Sequence, residues 1–312
     1  MNLSHLTFRL VVVVLLFSCD HEKEILSGEG YVDVRGGKIW YRVSGNGKQI
    51  PILMLHGGPG TPSHYLNPLN ALGSDRKVIT FDQLGCGRSD AISDTTLMTI
   101  DNFVEQINTL LKELQIDEVH LYGHSWGTML GMDFYLKYPE KVKTLIFASP
   151  CLSVEMWEND GDSLISTLPD SVQMVLRNNI NGVADDSATL AQAVAVYSDA
   201  FYTRKKPVSA DLDSATWSTG LNVYNYMWGS NEFFARGTLK DYDRTKELSS
   251  IDVPTLYTCG DFDSATPKIV KYYQRLTPNA KFVVFKNAGH YTMHDAAEDN
   301  VKAISEFVEA VD

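Results

Sequence analysis

Basic residues are scarce in this chain of 312 residues. Lys and Arg together number 27, against 39 Asp and Glu, and the formal net charge is -12 at pH 7. A surface that binds nucleic acid or an anionic membrane needs clustered Lys and Arg. The composition therefore predicts no nucleic-acid partner.

The apolar run at the N-terminus, Leu10 to Phe17, is too short to span a bilayer. With Arg9 before it, this run is typical of a signal peptide. It leads into the sequence LFSC, which resembles a bacterial lipobox and makes Cys19 the candidate lipidated residue of segment 1–19. A plain secretory signal cleaved nearby is the alternative. Residues 20–30 are predicted to form a polar tether. We expect an exported protein of the bacterial cell envelope, held at the membrane only through a lipid anchor at Cys19.

Cysteines are few, and besides Cys19 the chain contains only Cys86, Cys151 and Cys259. Three thiols cannot all pair with one another, and their wide spacing matches no metal site. The sequence therefore predicts neither a disulfide framework nor a bound metal. It gives no indication of the oligomeric state.

Beyond residue 30, short β-rich runs alternate with amphipathic segments. This alternation predicts an α/β fold, in which helices pack on both faces of a mostly parallel sheet. The later runs are apolar on both faces, as buried parallel strands are. Eight strands are predicted, at 31–36, 38–44, 51–56, 77–82, 118–123, 142–149, 253–260 and 281–286.

Helical spacing of apolar residues predicts the helices between these strands. About a hundred residues after the sixth strand break the alternation and are predicted to form a helical cap, with helical patches near 163–178 and 187–203 and an aromatic tail at 217–234. The cap is placed at 151–245, between two parts of the core at 31–150 and 246–312. The core helices are predicted at 63–72, 100–116, 126–138, 267–276 and 297–310.

The sequence GHSWG at 123–127 follows a predicted strand and precedes a predicted helix. This is the context of a nucleophile elbow, whose tight turn needs glycine on both sides of the serine. The elbow holds the hydroxyl at a helix N-terminus, where developing negative charge is stabilised. Ser125 is therefore the predicted nucleophile.

A serine nucleophile needs a histidine base and an acid that orients it, and after such an elbow they follow in the order acid, then His. The loop after the seventh strand contains Asp261 and Asp263, and periodicity does not separate them. The loop after the eighth strand contains His290, preceded by a glycine. We prefer His290 to His294, because His294 lies at the start of a predicted helix.

Acyl transfer also needs two backbone N–H donors aimed at the developing oxyanion. The sequence LMLHGGPG at 53–60 is a glycine-rich turn after a buried strand, and we expect one donor from it and the other from Trp126, the residue after the nucleophile. His56, at the end of that strand, is predicted to hold the turn by hydrogen bonds. His120 and His124 are given the same structural role.

Six motifs in this order resemble the prolyl iminopeptidase family of α/β-hydrolases, and are most similar to its tricorn-interacting aminopeptidase branch. The similarity extends from about residue 31 to residue 310. HGGPG is the most specific of the motifs, since most esterases of this fold have other oxyanion turns. The motifs are LHGGPG at 55–60, FDQLGCGRS at 81–89, GHSWG at 123–127, MWGSNEF at 227–233, GDFDSATP at 260–267 and GH at 289–290.

The resemblance implies roles for several residues. The acid of the triad would be Asp263, which leaves Asp261 as an exposed loop residue, and the oxyanion donors would be Gly58 and Trp126. A cap glutamate in the family's N-E-F sequence, Glu232 here, would bind the free amino terminus of the substrate. Relatives of the similar branch have a second glutamate directly after the acid, where this chain has Ser264.

The leading hypothesis is an exported serine exopeptidase that releases an N-terminal proline, or another small apolar residue, from short peptides. It would act through an acyl-enzyme and need no metal or cofactor. The main alternative is an esterase, a lactonase or an amino-acid amidase with the same triad, because a triad does not determine the leaving group. A lipoprotein that binds peptides without turnover is the third hypothesis. Glu232 would act alone or with a cap acid such as Glu155 or Glu158.

Overall fold

The structure is a computed structural model that describes residues 26–183, 186–230 and 232–312. The predicted signal segment, Cys19, most of the tether and Asn231 of the N-E-F sequence lie outside these residues. Within the described residues, every helix is too short or too polar to cross a bilayer.

The eight predicted strands are confirmed, and they form one sheet in the order β1-β2-β4-β3-β5-β6-β7-β8. The strand pairs β1/β2 and β2/β4 are antiparallel, and the other neighbours are parallel. Crossover connections therefore bring the carboxyl ends of β3, β5, β6, β7 and β8 to one edge, where a site forms in open α/β sheets. The strands are β1 (Gly28–Val34), β2 (Gly37–Ser44), β3 (Gln49–Leu55), β4 (Arg76–Phe81), β5 (Val119–His124), β6 (Val142–Ala148), β7 (Thr255–Gly260) and β8 (Ala280–Phe285).

The first strand begins earlier than the sequence predicted. Antiparallel pairing extends back to Gly28, which lies opposite Val43, so residues 28–30 belong to the sheet and not to the tether. The interior of the sheet follows the prediction, and every residue of β4, β5 and β7 is buried. This burial on both faces explains why these strands read as continuous apolar runs.

Helices cover both faces of the sheet. On one face, Leu53 packs in the cluster that contains residues of α1, α2 and α8, whereas its neighbour Ile52 points into the cluster of α10 on the other face. The hydroxyl of Thr99 caps α1 by accepting the Asn102 N–H at 3.2 Å. The core helices are α1 (Ile100–Glu113), α2 (Trp126–Lys137), α8 (Pro267–Leu276), α9 (Thr292–Asp295) and α10 (Ala297–Glu309).

The predicted helix at 63–72 is instead a 3₁₀-helical segment, Ser63–Ser74. Pro68 lies inside it and has no N–H to donate, so a regular α-helical ladder cannot pass through this position. Tyr65, Leu66 and Leu69 still pack on the sheet from this segment. The apolar pattern therefore placed the buried residues correctly but not the type of helix.

In the described part of the chain, five α-helices lie between β6 and β7. The predicted helical patch near 163–178 covers the end of one helix and most of the next, and residues 166–169 separate the two. The aromatic tail contains a short helix that the sequence did not predict, since Asn, Tyr and Val are weak helix formers. The five are α3 (Val154–Ile165), α4 (Asp170–Ile180), α5 (Ser187–Phe201), α6 (Ala210–Trp217) and α7 (Leu221–Met227).

Candidate active site

Ser125 occupies a sharp turn between β5 and α2. Its backbone has φ 54° and ψ -121°, a conformation that a residue other than glycine adopts only under strain. The flanking glycines make the turn possible. A Cβ atom at Gly123 would lie 2.3 Å from the carbonyl oxygen of Gly127, and one at Gly127 would lie 2.2 Å from that of Leu55. The geometry is that of a nucleophile elbow.

The imidazole of His290 is held by Asp263. Its Nδ1 lies 2.8 Å from Oδ1 of Asp263, and both side chains are buried. Oδ2 of Asp263 accepts the hydroxyl of Ser149 at 2.6 Å and the Gly260 N–H at 3.2 Å. Because a carboxylate only accepts, Nδ1 bears the proton and Nε2 is the basic nitrogen.

Asp261 has a different place. Its carboxylate accepts the Ala288 N–H at 3.2 Å and is only a quarter exposed, so it braces the neighbouring loop. The expectation that Asp261 is an exposed loop residue is therefore wrong. The hydrogen bond from the Ala288 N–H stabilises Asp261 in its partly buried position.

The loop of His290 is tied to the cap through main-chain hydrogen bonds. The His290 N–H donates to the carbonyl of Phe201 at 2.9 Å, and the Tyr291 N–H donates to that of Tyr202 at 3.0 Å. Gly289 permits this approach, because a Cβ there would lie 2.8 Å from the carbonyl oxygen of Phe201. The C-terminal end of α5 therefore helps to set the position of the imidazole.

The other predicted histidines are hydrogen-bonded within the frame. Nε2 of His56 accepts the Gln83 N–H at 2.9 Å, and His124 lies between the hydroxyl of Tyr65 and the carbonyl of His290. His294 bonds to the Ser209 hydroxyl and the Tyr65 carbonyl. Burial lowers the pKa of His56, of His124 and of His294.

The glycine-rich turn lies beside Ser125. A Cβ on Gly57 would be 3.3 Å from the Cβ of Ser125, and Gly58 lines the same cavity with a φ of 112°. The N–H of Trp126 is the first of α2, so it has no acceptor within the helix. The N–H groups of Gly58 and Trp126 therefore stay the predicted oxyanion donors.

Glu232 lines the cavity that Ser125 and His290 line. Its Oε1 accepts the hydroxyl of Tyr202 at 2.5 Å, and its Oε2 accepts the hydroxyl of Tyr224. Desolvation in the cavity wall, and secondarily the Glu232 carboxylate, raises the pKa of both phenols well above its usual range. Both phenols are therefore neutral donors to the Glu232 side chain.

The two residues named as possible helpers of Glu232 lie elsewhere. Glu158 accepts the Ala235 N–H at 2.9 Å, behind the loop that bears Glu232, and Glu155 is exposed. Ser264, at the position of the second family glutamate, turns its hydroxyl to 3.2 Å from Nδ1 of His290. In the described residues the cavity thus contains one carboxylate.

The cavity is small, at about 60 Å³. This space suits a small group. Among the aromatic residues near the site, Tyr224 lines the cavity, and Trp157 packs edge-on against His290 at 5.6 Å. Trp217 is 83% exposed and does not belong to the wall.

Two residues of the site were missed at the sequence level. Tyr202 donates to Glu232 and packs its ring 5.3 Å from that of His290. Gln83 bonds to His56 of the glycine-rich turn and to Trp126, the residue after the nucleophile. No local pattern marks Tyr202, whereas Gln83 belongs to the FDQLGCGRS motif, which was recognised without a role for this residue.

The fold and the site define the class of the protein, which is a serine hydrolase with the α/β-hydrolase fold. Residues 50–297 match the family model for the alpha/beta hydrolase fold. Among related proteins, the chain is 41% identical over 286 residues to the proline iminopeptidase of Heyndrickxia coagulans, a match that covers 91% of this chain and 99% of the relative. It is 32% identical to the proline iminopeptidase of Clostridioides difficile, over 91% of this chain and 99% of that one.

A solved structure agrees with these matches. The crystal structure of proline iminopeptidase from Mycobacterium smegmatis superposes with a TM-score of 0.85 and 27% identity, over 91% of this chain and 98% of the other. The chain belongs to the proline iminopeptidase family of α/β-hydrolases and is a prolyl aminopeptidase-like hydrolase. Its assignment to the tricorn-interacting branch stays a prediction.

Proposed function

We propose that this enzyme removes proline from the N-terminus of short peptides, with Glu232 as the anchor for the substrate's ammonium group. The proposal rests on one observation, which is that Ser125, His290 and Glu232 line the same cavity. A carboxylate near the nucleophile selects chains that begin with a positive charge, and a cavity this small leaves no room for a further residue before the N-terminal one.

The hydrogen-bonding capacity of Glu232 favours proline. A carboxylate offers about four lone-pair sites, and the phenols of Tyr202 and Tyr224 take two of them. Two sites remain, which equals the number of N–H groups on the secondary ammonium of an N-terminal proline. A primary ammonium has three, and leaving one unpaired in a desolvated site costs about 1–3 kcal/mol.

In the proposed reaction, Ser125 passes its proton to Nε2 of His290 and attacks the carbonyl of the first residue. The N–H groups of Gly58 and Trp126 stabilise the oxyanion. His290 then gives the proton to the leaving amine, which departs and leaves an acyl-enzyme. Water, deprotonated by His290, releases the amino acid. Asp263 keeps the imidazole in the tautomer that both steps need.

The substitution Glu232→Gln tests the anchor. A charge-assisted hydrogen bond is worth about 1.5–3 kcal/mol, so KM for a prolyl amide should rise about 10- to 150-fold. Hydrolysis of a simple acetate ester, which lacks the ammonium group, should be spared. Ser125→Ala should abolish both activities. An equal loss on both substrates would contradict the anchor and favour a general esterase or amidase.

We also propose that the enzyme is exported and anchored by lipid at Cys19. The support is the signal-like segment 1–19 with its LFSC end, followed by polar residues. Cell fractionation with fatty-acid labelling tests this. The full chain should carry label in the membrane fraction, and Cys19→Ala should lose the label. Label-free protein in the cytoplasm would overturn the proposal.

A further inference from the structure

The segment FDQLGCGRS at 81–89 carries no part of the reaction described above. It follows β4, which pairs with β3, and β3 leads into the glycine-rich turn. The first polar residue of the segment, Asp82, is fully buried and accepts the N–H of Ser63 at 2.8 Å and its hydroxyl at 2.6 Å. The segment thus packs directly behind the oxyanion turn.

Gln83 links the glycine-rich turn to the first residue of α2, which follows the nucleophile. Its Oε1 accepts the indole N–H of Trp126 at 2.9 Å, and its Nε2 donates to the carbonyl of His56 at 3.2 Å. Its own N–H donates to Nε2 of His56 at 2.9 Å. The side chain is 1% exposed, so water does not compete for these bonds.

The amide can face only one way. Its oxygen must meet the indole N–H and its nitrogen must meet the His56 carbonyl, because the reverse would oppose two donors and two acceptors. The main chain around it is also fixed. The Cys86 N–H donates to the Gln83 carbonyl at 3.3 Å, and Oε1 of Gln106 accepts the Leu84 N–H at 3.0 Å.

We infer that Gln83 is a positioning residue that sets the separation of the two oxyanion donors. One of its partners, Trp126, bears one donor, and the other, His56, lies two residues before Gly58, which bears the second. Stabilisation of an oxyanion depends on donors held about 2.7–3.1 Å from the oxygen, so a small change in their separation is costly. The inference rests on the oxyanion roles given under the proposed function, but not on proline as the substrate.

The test compares Gln83→Met with Gln106→Met. Both substitutions remove a buried amide: Gln106 bonds to segment 81–89 from α1, whereas Gln83 lies in that segment and contacts His56 and Trp126. For Gln83→Met we expect kcat to fall about 10- to 100-fold on a prolyl amide and on an acetate ester, with KM changed less than about twofold. Binding of an aldehyde such as prolinal, which forms a tetrahedral adduct with Ser125, should weaken in proportion to kcat. Binding of free proline should not change.

Trp126→Phe removes the same hydrogen bond from the other side and provides the second variant. It should lower kcat to a similar extent. The double variant should have the same kcat as either single variant, because both substitutions remove the same hydrogen bond. Thermal melts confirm that the variants are folded. If Gln83→Met does not fold, Trp126→Phe decides.

Three results would overturn the inference. They are an unchanged kcat for a folded Gln83→Met, an equal loss of kcat in Gln106→Met, and additive losses of kcat in the double variant. The acetate ester separates this failure from that of the proposed function. A wild-type enzyme without prolyl activity would contradict proline as the substrate, and the ester would still report the effect of Gln83.

Discussion

Both carboxylate oxygens of Glu232 accept a hydrogen bond from a phenol. Tyr202 approaches from the end of α5 and Tyr224 from α7, so two separate elements of the insertion orient one side chain. This arrangement explains how a carboxylate can lie within an aromatic run such as VYNYMWGSNEFF at 223–234. The rings of Tyr202 and Tyr224 do more than fill space, because their hydroxyl groups donate the hydrogen bonds that orient the Glu232 carboxylate.

We predict that Tyr224→Phe lowers the preference of the enzyme for prolyl over alanyl substrates. Losing one phenol frees a lone pair on Glu232, which can then accept the third N–H of a primary ammonium. The ratio of kcat/KM for prolyl and alanyl amides should fall about tenfold, in line with one hydrogen bond. Tyr226→Phe is the matched control, because Tyr226 lies on the same helix and is 39% exposed. An unchanged ratio in Tyr224→Phe would contradict the donor count.

At the scale of elements, the site depends on a contact between α5 and the loop after β8. The carbonyls of Phe201 and Tyr202 accept the N–H groups of His290 and Tyr291, and Gly289 leaves room for them. The insertion therefore supports the base directly as well as covering it.

Gly289→Ala should disturb this contact. The added Cβ would lie 2.8 Å from the Phe201 carbonyl oxygen, so the two main chains must separate and His290 must shift. We expect kcat to fall about 10-fold or more, since displacements of the order of 1 Å are costly in catalysis. Gly161→Ala, in α3 with open space around it, is the control and should gain up to about 1 kcal/mol of stability. Full kcat in Gly289→Ala would show that the contact does not position the base.

The sequence predicted the sheet well because its central strands are buried on both faces and read as apolar runs. It also predicted the loops of Ser125, Asp263 and His290, since each follows the end of a strand. In the insertion it predicted α5, but it missed α7, which contains weak helix formers, and it did not separate α3 from α4, which only a few residues divide. The roles of Tyr202 and Gln83 arise from contacts distant in sequence, which periodicity does not encode.

At the scale of the whole molecule, several histidines are buried in neutral form. Burial is the main cause that lowers the pKa of each below its usual value. Because the unfolded chain takes up protons first as pH falls below about 6.5, these groups lower the free energy of unfolding on the acid side. They are His56, His120, His124 and His294.

Stability should therefore be highest above pH 6.5 and decline towards pH 5, by up to about 1.4 kcal/mol per pH unit for each histidine. His120 is the residue to replace, because it lies at the other end of the sheet, bonded to Thr144 and Asp312. Urea unfolding of wild type and His120→Asn at several pH values measures the slope. His120→Asn should show a shallower slope between pH 6.5 and 5, and an identical slope would contradict the assignment.

For the enzyme as a whole, we propose that Glu232, in its small cavity, selects substrates that begin with a free N-terminal proline. The most direct measurement compares kcat/KM for a prolyl amide with that for the same amide bearing an N-acetyl group. The acetyl group removes the charge that Glu232 binds and adds bulk to a cavity of about 60 Å³. We predict that the acetylated substrate is at least about 100-fold poorer, from the loss of one charge-assisted hydrogen bond together with steric exclusion. Comparable rates on the two substrates would contradict the account.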